Sequence, residues 1–140
     1  MEIYFCGSIR GGHDDVDLYA DLIETLAAHG EVLTEHVGTE DVRDDPDAAG
    51  QTDRATHDQD MAWLRQADAV VAEVTTPSLG VGYEIGRAVE WEKPVCCLYR
   101  PAGEHALSAM IRGNDEIRVV EYSEPAEVEE ILAAFVNAQR

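Results

Sequence analysis

Three side chains in this sequence have the chemistry to break a glycosyl bond: the carboxylates of Glu84 and Asp60 and the phenol of Tyr4. Paired carboxylates suit that task because one can stabilise or capture a cationic anomeric carbon while the other manages protons. Glu84 closes the run Thr75-Thr76-Pro77-Ser78-Leu79-Gly80-Val81-Gly82-Tyr83-Glu84. Pro77 restrains a turn, Ser78 is a natural helix cap, and Gly80 and Gly82 thin the first helical turn. Such glycines weaken a helix and make best sense where something must lie against its backbone. One turn in, Glu84 is expected near amides and a helix dipole that favour its ionised form, the plain alternative being a glutamate on a solvated helix face. Asp60 ends the segment His57-Asp58-Gln59-Asp60 and is able to reach the same pocket from the neighbouring crossover. Tyr4 is by default a half-buried strand aromatic, but at the right sheet edge a phenol orients a carboxylate.

The loop Gly7-Ser8-Ile9-Arg10-Gly11-Gly12-His13 offers what an anion requires. Its glycines let backbone amides approach closely, Ser8 and Arg10 add donors, and a helix N-terminus follows. GxGxxG is absent and no GK[ST] follows, so this is neither a dinucleotide fingerprint nor a P-loop. A phosphate site and a tight turn serving only the fold both fit the loop taken alone. An anion site beside two carboxylates points to glycosyl chemistry on a phosphorylated sugar. His57 and Asp60 share a helix face at i, i+3, yet no third ligand has a recognisable spacing, so no metal is expected.

Positioning these groups requires a scaffold, and short apolar runs alternate with amphipathic segments along the whole chain. Ile3-Tyr4-Phe5-Cys6 leads to a helix with Tyr19, Leu22, Ile23 and Leu26 on one stripe, capped by Asp14 and stopped near Gly30. Val32-Leu33-Thr34 is the second expected strand, followed by an aperiodic surface loop from about Gly38 to Thr52. Helices over 53–66 and 79–92 lead into Ala69-Val70-Val71-Ala72 and Val95-Cys96-Cys97-Leu98. A short helix over 106–111, the strand Ile117-Arg118-Val119-Val120 and a last helix carrying Val128, Ile131, Leu132, Phe135 and Val136 complete the pattern. Continuous apolar strands joined by right-handed helical crossovers predict an α/β fold: a flavodoxin-like, doubly wound, five-stranded parallel sheet in the order 2-1-3-4-5, with helices on both faces. Ligands then sit beyond the carboxyl ends of the strands, near the switch point between strands 1 and 3, which selects the loops 7–13 and 74–84.

Composition narrows the class further. With 140 residues, 45% of them apolar, the chain is read as one domain over 1–140. Against 10 basic residues stand 29 acidic ones, a net charge of -19 that opposes binding to nucleic acid. Lys93 is the single lysine. That excess is read as a salt-adapted surface, because molar salt shortens the screening length to about 3 Å and removes most of the self-repulsion. No stretch is long and apolar enough to span a membrane and no basic leader opens the chain, so a cytoplasmic, soluble protein is expected. Cys6, Cys96 and Cys97 show no CxxC spacing and read as buried strand thiols.

Five segments in order resemble those of the 2'-deoxynucleoside 5'-phosphate N-hydrolases, within the wider nucleoside 2-deoxyribosyltransferase group. They are Tyr4 to Gly12, Leu33-Thr34-Glu35-His36-Val37, His57 to Asp60, Pro77 to Glu84, and Leu107-Ser108-Ala109-Met110-Ile111-Arg112-Gly113. The resemblance implies a flavodoxin-like homodimer that cleaves the N-glycosidic bond of 2'-deoxynucleoside 5'-monophosphates without cofactor or metal. It makes Glu84 the nucleophile at C1', with Asp60 and Tyr4 completing the catalytic group. Ser8, Arg10, Ser78 and Gly80 would hold the 5'-phosphate, and Gly7, Gly11, Gly12 and His13 of the first loop would also bind substrate. Ile9 would line the base, with His36 close to it, and Ser108, Ala109 and Met110 would arrive from the partner subunit. A nucleoside 2-deoxyribosyltransferase and a non-catalytic nucleotide-sensing module are the alternatives, separated by adding a second free base and by testing for base release at all.

Overall fold

The computed structural model describes residues 1–8, 15–34, 52–101 and 104–140. Within them β1 (Glu2–Gly7), β2 (Glu31–Val32), β3 (Ala69–Glu73), β4 (Val95–Tyr99) and β5 (Ile117–Glu121) alternate with helices. These are α1 (Val16–Ala27), α2 (Asp53–Gln66), α3 (Leu79–Glu90), α4 (Ala109–Arg112) and α5 (Pro125–Asn137). The strands form one parallel sheet in the expected order β2-β1-β3-β4-β5. Tyr4 stands opposite Val70, Cys6 opposite Ala72, and Ala72 opposite Cys97.

Alternation along β1 divides the core into two layers, because successive strand side chains leave opposite faces of the sheet. Ile3 and Phe5 pack with Tyr19, Leu22 and Leu26 of α1 and Val128, Leu132 and Phe135 of α5. Tyr4 and Cys6 turn the other way, onto Met61 and Leu64 of α2 and Val81, Ile85 and Ala88 of α3. This second layer is the one that carries Asp60 and Glu84. Every residue of β3 and β4 is buried, which explains why their sequences are apolar runs rather than alternating ones. The three cysteines are free and buried, as expected. Among the described residues no helix is long and apolar enough to cross a membrane.

Three boundaries depart from the expected ones, each for a local reason. β2 ends at Val32 because Thr34 turns its hydroxyl onto β1, accepting from Phe5 N–H at 3.1 Å and donating to the Phe5 carbonyl. A side chain there replaces what a longer strand would supply. α3 stops at Glu90 because Glu92 takes the left-handed conformation, φ 58. The Lys93 N–H then reaches the Ala88 carbonyl and the Glu92 N–H the Val89 carbonyl, both at 2.9 Å, forming a Schellman closure. α4 begins at Ala109, later than expected, because Ser108 caps it by accepting from Met110 N–H at 3.2 Å. The expected cap Asp14 and nearly all of the 38–52 loop lie outside the described residues. Asp15 occupies the cap position of α1 but makes no side-chain capping bond.

Candidate active site

Tyr4 is 1% exposed, on the face of β1 that looks onto α2 and α3, and its hydroxyl hydrogen-bonds the Glu84 carboxylate. Asp60 lies close enough to act electrostatically on Tyr4 and Glu84 alike. The fold thus gathers the three residues from a strand and two crossover helices. Burial pushes Glu84 up to about 7 from an ordinary 4.5; the Tyr4 bond pulls it down and the Asp60 charge raises it again. That corrects the expectation that amides and the helix dipole would favour the ionised form: desolvation outweighs them here. Burial raises the Tyr4 phenol far above its ordinary range, and the charges of Glu84 and Asp60 add to this, so the phenol stays a donor to the carboxylate.

Helical geometry explains the glycines. Gly80 precedes Glu84 by four residues and so lies on the same flank of α3 one turn earlier. A Cβ there would meet only Ser78 Oγ, at 3.8 Å, and one at Gly82 would meet nothing within 4 Å. The helix surface beside the carboxylate is uncrowded, as it must be if a substrate lies against it. Ser78 caps α3 by accepting from Val81 N–H at 3.3 Å. Along α3 a cleft of about 570 Å³ is lined by Ser78, Gly82, Ile85, Ser108 and Met110, among others. It does not include Tyr4, Asp60 or Glu84.

In the first loop, Ser8 is buried and its N–H donates to the Tyr19 hydroxyl at 3.1 Å. A Cβ on Gly7 would approach the Tyr19 ring to 2.8 Å, so this glycine is required by close packing. Ile9, Arg10, Gly11, Gly12, His13 and His36 lie outside the described residues. His57 is engaged through both ring nitrogens, with Asp58 at 2.9 Å and the Tyr83 hydroxyl at 3.0 Å. Among the described residues no group of three or more His, Cys, Asp or Glu is arranged to hold a metal ion.

One cluster escaped the reading of the sequence. Glu73, fully buried at the carboxyl end of β3, accepts from Thr75 N–H at 2.8 Å, Thr75 Oγ1 at 3.1 Å and the Tyr122 hydroxyl. Arg100 Nε lies 3.6 Å from it, and Arg100 Nη2 donates to Asp15 at 2.9 Å. A charged residue closing an otherwise apolar strand, as in Ala-Val-Val-Ala-Glu and Leu-Tyr-Arg, was the available signal.

Against this geometry, the family model described as nucleoside 2-deoxyribosyltransferase matches residues 3–128. The chain belongs to the nucleoside 2-deoxyribosyltransferase family. Within that family it is 51% identical over 143 residues to the 5-hydroxymethyl-dUMP N-hydrolase of Tetraodon nigroviridis, covering all of both chains. It is 50% identical over 139 residues to the Homo sapiens enzyme of the same name, covering 97% of this chain and 79% of that one. The CMP N-glycosidase of Clostridium botulinum shares the fold at a TM-score of 0.67 and 19% identity, over 96% of this chain and 99% of the other.

Proposed function

We propose that this chain, as one domain, hydrolyses the N-glycosidic bond of 2'-deoxynucleoside 5'-monophosphates to free base and 2-deoxyribose 5-phosphate. The observation that carries the proposal is the Tyr4–Glu84–Asp60 group, with a buried phenol and half-buried carboxylates, beside the uncrowded backbone of Gly80. N-hydrolase relatives at about half identity support the same reaction, and 5-hydroxymethyl-dUMP is the first substrate to test.

The C1'–N bond of a deoxyribonucleotide breaks through an oxocarbenium-like transition state, which a fixed carboxylate beneath the ring stabilises. Glu84 attacks C1' as the C–N bonding pair leaves with the base, which takes its proton from the Asp60 carboxyl. Water then adds to C1', gives a proton to Asp60 and releases Glu84, so one water is consumed and configuration is retained. Tyr4 holds the attacking oxygen in place throughout. A 2'-hydroxyl withdraws electrons from the developing cation, so ribonucleotides bind without turnover. Water is the sole co-reactant, and no cofactor enters.

Ser8, Arg10, Ser78 and Gly80, with Gly7, Gly11, Gly12 and His13, hold the 5'-phosphate in this reading, while Ile9 and His36 face the base. Ser108, Ala109 and Met110 complete the site of a partner subunit in a homodimer. Supporting this, Leu79 is 96% exposed and Met110 82%, an apolar surface unusual for a chain this polar outside. The protein acts in a salt-rich cytoplasm, where its acidic surface is screened. A transferase reading follows the description of the family model. Chromatography of each deoxynucleoside monophosphate incubated with the protein at high salt decides between them. Free base and 2-deoxyribose 5-phosphate in equal amounts support hydrolysis, new nucleotides formed with an added second base support transfer, and bound but intact nucleotide contradicts both.

A further inference from the structure

Taking the 5'-phosphate reading above as given, we propose that Asp15, Arg100 and Glu73 form a clasp that sets the spacing of the loops gripping the phosphate, making all three positioning residues. Three loops leave the carboxyl edge of the sheet, after β1, β3 and β4; in that reading the first two carry Ser8 and Ser78 of this subunit's phosphate site and the third carries Ser108 to the partner's. The clasp joins the same three. Asp15 closes the first loop; one of its oxygens accepts from Arg100 Nη2 at 2.9 Å and the other from Thr76 Oγ1 at 3.0 Å. Thr76 lies two residues before Ser78 in the second loop. Arg100 opens the third, and its own N–H donates to Thr75 Oγ1 at 2.9 Å.

Beneath them the Glu73 carboxyl supplies a fixed acceptor. It is 0% exposed, it holds Thr75 by two bonds, and its Oε2 lies 3.6 Å from Arg100 Nε. The Tyr122 hydroxyl, from the end of β5, completes its shell. Asp15 makes no capping bond to its own helix, so its carboxylate is committed to the neighbouring loops. Charge-assisted bonds to a carboxylate are about twice as strong as neutral ones, and they fix direction as well as distance. Loops so joined present their donors at a set separation before substrate arrives, which lowers the ordering cost of binding a dianion. Tyr4, which joins Glu84 and Asp60, packs in the other layer of the core, against α2 and α3.

The test compares Asp15→Asn, Thr76→Val and Arg100→Lys with the parent, at high salt, using the deoxynucleoside monophosphate that the parent cleaves best. Asp15→Asn is expected to raise KM tenfold or more with kcat within threefold and the pH inflection of kcat/KM unmoved. Thr76→Val, which removes one bond and no charge, is expected to raise KM less, and Arg100→Lys to retain part of the grip that Arg100→Met loses. KM within twofold of the parent in folded Asp15→Asn or Thr76→Val overturns the clasp, as does a fall in kcat at constant KM. Failure of the hydrolase reading is distinguishable, because the parent itself would then release no base.

Discussion

In the proposed mechanism Glu84 must be ionised to attack, and burial pushes its carboxyl up to about 7. The ionised fraction therefore falls tenfold for each unit below that value, and kcat/KM of the free enzyme is expected to rise with pH as Glu84 ionises and to fall again where Asp60 loses the proton it gives to the base. Tyr4 pulls the carboxyl down through its hydrogen bond. Tyr4→Phe keeps the ring and removes the donor, so the rising limb is expected to move to higher pH, with the loss of activity greatest at pH 6 and least at pH 9. A pH–rate series on both proteins checks this; an unmoved limb would mean that the phenol does not act on Glu84. The candidate residues were legible because Tyr4, Asp60 and Glu84 each sit in a distinctive local segment. The direction of the Glu84 shift was not, since desolvation depends on what packs above α3 rather than on neighbours in sequence.

At the scale of elements, the strands were legible because a parallel strand covered on both faces has to be a continuous apolar run. Ends were harder to read. Thr34 and Glu92 decide where β2 and α3 stop, one through a hydroxyl on β1 and the other through a left-handed backbone, and neither residue type announces that role. Glutamate in this conformation pays a steric cost of roughly 1–2 kcal/mol that glycine avoids, part of which is returned as backbone entropy. Glu92→Gly is expected to stabilise the fold by roughly 0.5–1 kcal/mol, seen as a rise of a few degrees in Tm; a fall would show that the Glu92 side chain contributes more than its backbone costs. The clasp of Asp15, Glu73 and Arg100 was hidden for a related reason: its bonds join residues as far as 85 apart in sequence, and no local periodicity encodes them.

The whole molecule carries 29 acidic against 10 basic residues. Repulsion on that surface acts over about 10 Å at 0.1 M salt and only about 3 Å at 1 M. Tm is expected to climb from dilute buffer to multimolar KCl, and equal values would remove salt adaptation from the account. On the proposed function, the same screening lets a nucleotide approach the first-loop and Ser78 donors despite the overall charge. In the proposed homodimer the exposed Leu79 and Met110 lie at the subunit interface, and on that proposal Leu79→Asp is expected to give a monomer by light scattering and to lose base release with it. A dimer that persists, or an active monomer, would count against a shared site. The proposed chemistry depends on a carboxylate at position 84, and the most direct measurement is the single-turnover rate of base release by Glu84→Gln beside the parent, at high salt and saturating substrate. A fall of a thousandfold or more, with substrate still bound, is the result this mechanism requires; a rate within tenfold of the parent would contradict it.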